Sequence, residues 1–238
     1  MARANDTPYD IATVVEEKCF GDGYEGPPRV RVFGDFEGVA VTCGKYLRIL
    51  AVDPARRGRG IGTALLRDAN IIVIAAEPGN YFTPGVPEHV AGFFKRLGYF
   101  ETARTQNLVC TSGGDAVLPA GDRERVFAFI EKNFGPIWRF EAAKGEKILH
   151  VEDRGDIVGF STHDANNHGL GWFGPTGVAE SHRGRGLGRL LLLASLADLR
   201  RLGYHRVVIP WTDAIEFYRK TCGAQIESRF VILRKEGA

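Results

Sequence analysis

The sequence predicts an α/β (α+β) chain of two related units in series. Three observations carry this: a glycine-arginine hexapeptide that occurs twice, a strand-like run before each copy, and an amphipathic, helix-like run after each. The hexapeptide is Arg57-Gly58-Arg59-Gly60-Ile61-Gly62 in the first half and Arg183-Gly184-Arg185-Gly186-Leu187-Gly188 in the second, identical at five of six positions. Leu47 to Val52 precedes the first copy and Trp172 to Val178 the second. Further on, Phe93-Phe94-Lys95-Arg96-Leu97-Gly98 is echoed by Phe217-Tyr218-Arg219-Lys220-Thr221-Cys222-Gly223. Small and polar residues interrupt the apolar pattern at Thr111-Ser112-Gly113-Gly114-Asp115, which divides the chain into domains 1–115 and 116–238.

In the second unit, Asp122 to Asn133 reads as a helix with Val126, Phe127, Ile130 and Phe134 on one face. Ile148 to Glu152 and Ile157 to Thr162 flank Asp153-Arg154-Gly155-Asp156, a hairpin signal. Trp172 to Val178 is a third strand. Leu187, Leu190, Leu191 and Ala194 have helical spacing, so a long helix runs from about Gly186 to Leu202 with that face inward. Val207 to Ile209 is a strand, Asp213 to Thr221 a short helix ended near Gly223, and Phe230 to Leu233 a last strand.

Composition narrows the function classes. Apolar residues make up 44% and charged residues 25%, so the chain can bury a core and is not of the disordered type. A net charge of +2 gives no global attraction to nucleic acid or anionic lipid, and any anion site must be local. Cys19, Cys43, Cys110 and Cys222 are scattered with no CxxC pair, which argues against zinc and against a disulfide framework, and for reduced thiols. No apolar run is long enough to span a bilayer, and Asp6 and Asp10 do not fit a signal peptide, so a cytoplasmic protein with neither membrane nor nucleic-acid partner is expected. A monomer is favoured over a homodimer, because a second unit in the same chain can supply the neighbour.

A strand that ends in a glycine-rich turn and feeds a helix aims several backbone N–H groups and the positive end of the helix dipole at one point, a cradle for phosphate. Glycines let the backbone approach the anion and adopt positive φ, and the arginines add local charge. A ligand-free strand-helix turn remains the bland alternative, weaker for the second copy than for the first. A Walker-type loop is excluded because no Gly-Lys-Ser/Thr follows.

These residues resemble the acetyl-CoA signature of the GNAT superfamily: a strand ending in Val, then R/Q-x-x-G-x-G/A at the start of a long helix. The matches are Val52 with Arg57, Gly60 and Gly62, and Val178 with Arg183, Gly186 and Gly188. The resemblance implies tandem GNAT folds, each a mixed, mostly antiparallel, splayed sheet flanked by helices, with acetyl-CoA as co-substrate and no metal. It implies cofactor contacts from Val178, Arg183, Gly184, Arg185, Gly186, Leu187, Gly188 and Arg189. The equivalent set in the first unit is Val52, Arg57, Gly58, Arg59, Gly60, Ile61, Gly62 and Thr63. The family also carries a tyrosine, in a pattern like A-I-x-x-Y-x-K-x-G, that protonates the departing thiolate. Ala214-Ile215-Glu216-Phe217-Tyr218-Arg219-Lys220 matches it, with Gly223 displaced by one residue, whereas the first unit has Phe94 at that place.

The C-terminal unit is therefore expected to be catalytic, with Tyr218 as general acid and the backbone N–H of Val178 polarising the thioester carbonyl. The N-terminal unit is expected to be degenerate. Where some relatives place a glutamate base, this chain has Trp172, and Tyr46 in the first unit, so no base carries over; Asp164, His168, Glu180 and Asp213 are candidate substitutes. A missing base favours a small amine of lower pKa than lysine. Trp172, Trp211 and Asp213 are candidate acceptor contacts, with ordinary core tryptophans the alternative. The loop from Glu77 to Val86 is longer than a connection requires, and it either seals the domain interface, the slightly favoured reading, or reaches into the other unit's site. Together with Phe173-Gly174-Pro175-Thr176-Gly177-Val178 it resembles a subgroup of two-domain GNAT proteins that includes glucosaminide acetyltransferases. The expected reaction is acetyl transfer to the primary amine of a small molecule by direct attack in a ternary complex, with an amino sugar as the acceptor that the subgroup resemblance implies. Alternatives are a protein lysine or N-terminal acetyltransferase, and a non-catalytic acyl-CoA-binding sensor.

Overall fold

In the computed structural model, residues 30–35, 37–43, 46–74, 84–120, 122–165 and 167–236 are described. Cys19, Asp6, Asp10 and most of the loop read over Glu77 to Val86 lie outside them. The chain forms two compact units, Met1–Thr105 with Arg229–Ala238, and Gln106–Ser228. The boundary drawn from composition at 115/116 thus falls inside the second of these units, and the end of the chain returns to the first.

In the first unit, β1 (Val30–Asp35), β2 (Gly38–Cys43) and β3 (Tyr46–Val52) form an antiparallel meander. The short β4 (Val73–Ile74) runs parallel to β3 through Tyr46 and Leu47. It also pairs with Leu233 and Arg234 at the end of β11 (Gln225–Arg234). β5 (Val86–Pro87) joins β11 at Phe230 and Val231. Helix α1 (Ile61–Asp68) buries Leu65 and Leu66 in a core with Leu47, Ile74, Phe94 of α2 (Ala91–Lys95), Tyr99 and Leu233. The Tyr99 hydroxyl donates to the Ile71 carbonyl at 2.7 Å, so this partly polar core residue is satisfied.

In the second unit, α3 (Arg123–Phe134) starts where the Asp122 carboxylate accepts from the Glu124 and Arg125 N–H groups. It buries Val126, Phe127 and Ile130, as its spacing predicts. A second helix, α4 (Pro136–Ala143), follows at once. No element is expected here from the sequence alone; Pro136 at the first helical position costs no hydrogen bond and starts a new helix directly after Gly135. β7 (Ile148–Asp153) and β8 (Asp156–His163) form the expected hairpin. Both turn residues, Arg154 and Gly155, have positive φ (54° and 88°), as a two-residue turn between right-twisted strands requires. β9 (Phe173–Val178) pairs antiparallel with β8, and β10 (Arg206–Ile209) with residues 108–111 of β6 (Phe100–Thr111).

Helix α5 (Leu187–Arg201) buries Leu191 and Ala194 of its predicted face, with Leu187 half-buried beside them, but not Leu190. Leu190 is 38% exposed, while Leu192, Leu196 and Leu199 pack with Phe173, Val207, Ile209 and Tyr218. Four consecutive leucines satisfy several helical registers at once, and burial on two sides decides among them. Its second buried side joins Leu191, packed on Val151 and Val158, to polar pairs: Ser195 hydrogen-bonds Ser161 at 2.9 Å, and the Asp198 carboxylate meets Lys147 Nζ at 2.5 Å and His163 at 3.4 Å. Burial, the largest single influence, pushes the Asp198 carboxyl up, but Lys147, Arg201 and His163 together hold it below its usual range. The last helix, α6 (Ile215–Cys222), ends in left-handed Gly223.

Gly177 in β9 shows how closely the layers meet. A Cβ there would lie 2.4 Å from the Phe134 ring, so any larger residue forces that ring, packed against Phe129, Trp138 and Phe160, to shift. Gly177→Ala is expected to destabilise by about 1–3 kcal/mol through overpacking, read as a lowered Tm in thermal unfolding; an unchanged Tm would show that Phe134 moves freely.

Candidate active site

The two glycine-rich turns are copies of one backbone. Each strand ends in a 3₁₀ turn, Pro54–Arg56 or Glu180–His182, followed by an extended arginine, Arg57 (φ −61°, ψ 155°) or Arg183 (φ −65°, ψ 159°). Gly58 and Gly184 have φ of 80° and 77°. Gly60 and Gly186 cap the helices in left-handed geometry (83°, −4° and 80°, −1°). The first intrahelical bonds are Ala64 N–H to Gly60 O and Leu190 N–H to Gly186 O. That leaves the N–H groups of Ile61, Gly62 and Thr63, and of Leu187, Gly188 and Arg189, without helical acceptors. No atom lies within 4 Å of a Cβ built on Gly58, Gly60, Gly184 or Gly186, so the cradle is open on the ligand side. A diphosphate fits this donor set.

The signature arginines have a local task. Arg57 Nε donates to the Val52 carbonyl and Arg183 Nε to the Val178 carbonyl, both at 3.3 Å, tying turn to strand end. Arg185 reaches Asp153 at 3.7 Å, and His182 reaches the same carboxylate at 3.2 Å, so the β7–β8 turn braces the loop. Arg59 and Arg189 are exposed beside their turns.

Each strand directs its terminal N–H away from its antiparallel neighbour. Ala179 N–H donates to Val158 O at 2.8 Å while Gly159 stands opposite Val178, which makes 159/178 a non-hydrogen-bonded pair. The N–H of Val178, and by the two-residue period that of Thr176, therefore faces the side where β9 leaves β10. Those two regions meet at an isolated bridge between Trp172 and Val208. The first unit repeats this: Asp53 N–H donates to Glu37 O at 2.9 Å, Gly38 faces Val52, and β3 meets β4 only through Tyr46 and Leu47 among the described residues. Sequence reasoning named Val178 and overlooked Thr176, although strand periodicity contains the signal.

The third glycine of each turn packs under an aromatic ring of the last helix. A Cβ at Gly188 would meet Phe217 at 3.7 Å and Val178 at 4.0 Å; at Gly62 it would meet Phe93 at 3.3 Å and Val52 at 3.7 Å. Turn, strand end and last helix thus converge in both units, and the next residue along the helix differs: Tyr218 in one, Phe94 in the other. Tyr218 is buried among Phe173, Leu192 and Ile209, edge-on to Phe173 and Phe217. Burial is the main cause that pushes its phenol up to about 12; the Cys222 thiol adds to this and a hydrogen bond with Thr212 opposes it. Tyr218 therefore keeps its proton throughout the neutral range.

In the first unit, β3 and its turn form one wall of a cavity of about 1090 Å³, with Ile74, Val86, Phe93 and Phe94 opposite. This matches the upper size of small-molecule sites.

Of the acceptor candidates, Trp172 is half-buried at the bridge to Val208, and its carbonyl accepts from Asp164 N–H at 2.7 Å. Trp211 is 41% exposed with φ of 47°, a costly conformation for a bulky residue. Its backbone N–H donates to Asn107 Oδ1 at 3.1 Å, and the Thr212 backbone exchanges bonds with Gln106, so β6 holds the main chain that carries the indole. Asp213 is exposed. Asp164, by contrast, accepts from the Gly169 and Gly171 N–H groups and from the Tyr204 hydroxyl, a loop-organising role that occupies the carboxylate. His168 and Glu180 are exposed. No cluster of three or more His, Cys, Asp or Glu residues able to hold a metal occurs among the described residues, nor any helix long and apolar enough to cross a membrane.

The profile of the acetyltransferase (GNAT) family matches residues 120–224, and that of a second acetyltransferase (GNAT) domain matches residues 29–101. The chain belongs to the GNAT family of acetyltransferases. It is a two-unit GNAT enzyme, an acyltransferase. Solved structures agree in fold. One is the GCN5-related glucosamine N-acetyltransferase region of a fungal multi-domain GH3 β-N-acetylglucosaminidase, with a TM-score of 0.67 and 18% identity over 97% of this chain. This chain spans 37% of that protein. Another is a GCN5-related N-acetyltransferase from Sphaerobacter thermophilus, at 0.60 and 19%, covering 98% of this chain and 93% of the other. A third is a tandem GNAT protein from the clavulanic acid biosynthesis pathway, at 0.58 and 20%, covering 85% and 80%. No curated protein sequence matches the chain.

Proposed function

We propose that the unit Gln106–Ser228 transfers acetyl from acetyl-CoA to the primary amine of a small ring-bearing molecule, with amino sugars as the first class to test. The observation that carries this is the repeat of one turn geometry in both units with a phenol, Tyr218, beside only the second. The pyrophosphate is held by the N–H groups of Leu187, Gly188 and Arg189, with Gly184 and Gly186 leaving room for it and Arg183 and Arg185 fixing the loop. The N–H groups of Thr176 and Val178 lie on the side where the thioester carbonyl would take up negative charge. Neutral amine attacks that carbonyl to form the N–C bond, the C–S bond breaks, and Tyr218 donates its proton to the departing thiolate; the proton shed by the attacking nitrogen passes to solvent, from which the Tyr218 phenolate is reprotonated.

Among the acidic groups weighed as base, Asp164 is occupied and the others are exposed, which supports an acceptor already partly neutral near pH 7. Trp211, held in a strained backbone and exposed, supports a ring-shaped acceptor, since ring faces stack on indole. The first unit offers the same cradle and a large cleft but Phe94 in place of the phenol. We assign it a second acetyl-CoA site without turnover, in a cytoplasmic, monomeric protein.

The test is thiol release from acetyl-CoA across a panel of glucosamine, a glucosaminide, a diamine and a lysine peptide. Turnover of the sugars with rates that rise with pH towards the amine pKa is expected. Activity on the peptide or diamine with none on glucosamine or glucosaminides would remove the amino-sugar assignment and leave acetyl transfer standing.

A further inference from the structure

Helix α4 packs on β9, whereas α3 lies over β7 and β8, so α4 stands at the edge of the sheet where β9 parts from β10. On its inner side, the Phe134 ring occupies the space above Gly177, between the two residues whose N–H groups face the splay. Trp138 stacks on that ring, with centroids 5.1 Å apart and planes 21° from parallel, and meets Phe160 edge-on at 6.4 Å. Its indole is nevertheless 37% exposed. Val178 contacts the α5 side of the sheet through Leu187 and Leu191, and adjacent strand residues point to opposite faces. The aromatic stack is therefore on the face opposite the glycine-rich turn, one residue from the polarising N–H groups.

We infer that Trp138, braced by Phe134, is the platform on which the ring of the acceptor stacks, and so determines specificity for ring-bearing over linear amines. The inference rests on the acetyl-transfer reading of this unit. A cofactor anchored on the turn face leaves the α4 face as the approach for the amine. A rigid indole costs little conformational entropy to present, because its stacking partner already fixes it. The chemistry that fits is a C–H-lined sugar face or an aromatic ring carrying a primary amine.

The experiment compares Trp138→Ala and Trp138→Phe with wild type on glucosamine, phenethylamine and putrescine, with acetyl-CoA affinity measured calorimetrically in each. KM for the two ring amines should rise about tenfold in Trp138→Ala, the equivalent of about 1.4 kcal/mol of lost stacking. Trp138→Phe should recover most of that, while putrescine kinetics and acetyl-CoA affinity stay within about twofold. Equal losses on all three amines, or weakened acetyl-CoA binding, would show a structural role and overturn the inference. So would a wild type that prefers putrescine, though acetyl transfer itself would stand. Absence of both acetyl-CoA binding and thiol release in wild type would overturn the acetyl-transfer reading and this inference with it.

Discussion

Replacing Tyr218 by Phe should lower kcat about 10²- to 10³-fold while the KM for acetyl-CoA stays within about threefold of wild type. The substitution keeps the ring that packs against Phe173 and Phe217 and removes only the hydroxyl, so the core of the unit survives. The size follows from the usual worth of a positioned general acid, at its lower end because a phenol near 12 is a reluctant donor to a thiolate. The pH dependence has a definite sign. Below about pH 10 the phenol is protonated in folded and unfolded chains alike and contributes no slope. Between 10.0 and about 12 the unfolded chain releases the proton and the folded chain holds it, so the stability due to this group is lost as pH rises through that window. Wild-type kcat should accordingly show no descending limb from Tyr218 below about pH 10, a point a pH-rate profile decides. A Tyr218→Phe enzyme of undiminished kcat would make the residue a packed aromatic.

The second large effect is expected at the turn. Arg189→Glu places a carboxylate at the third helical position of α5, where it folds back on the N–H groups that would hold pyrophosphate. An acid there favours the helix itself by about 0.3–1 kcal/mol, so lost function cannot be charged to unfolding. Acetyl-CoA binding to this unit should weaken about 10²-fold through occupied donors and reversed charge, read by calorimetry and by KM. Glycine substitutions are poorer probes, since Gly184 and Gly186 sit at φ of 77° and 80°, where any side chain adds strain. An Arg189→Glu variant that binds acetyl-CoA as wild type does would place the phosphates elsewhere.

Much of this was legible in the sequence because the informative residues act locally. Two glycine-rich hexapeptides fix two identical turns by backbone geometry alone, and Arg154-Gly155 fixes the hairpin for the same reason. What could not be read depends on long-range packing. The inward side of α5 is ambiguous within Leu190–Leu193 until the flanking layers bury Leu191 and Leu192 and leave Leu190 outside. The α4 helix hides behind Gly135-Pro136, a pair that ends one helix and begins another. Gly177 is unremarkable until Phe134 is seen to lie on it, and Trp138 gains meaning only from that contact. Likewise Asp164 reads as a candidate base in the sequence and as a loop anchor once Gly169, Gly171 and Tyr204 surround it. The difference between Tyr218 and Phe94 was visible from the start, because the internal repeat supplies its own reference.

The central claim, that chemistry resides in the C-terminal unit and the N-terminal unit binds without turnover, is most directly tested by one paired measurement. Acetyl-CoA is titrated calorimetrically into wild type, Arg189→Glu and Thr63→Glu, and thiol release with glucosamine is followed for each. Arg189→Glu should lose turnover and one binding event, whereas Thr63→Glu should lose the other binding event and keep wild-type turnover. Turnover abolished by Thr63→Glu and retained by Arg189→Glu would contradict it.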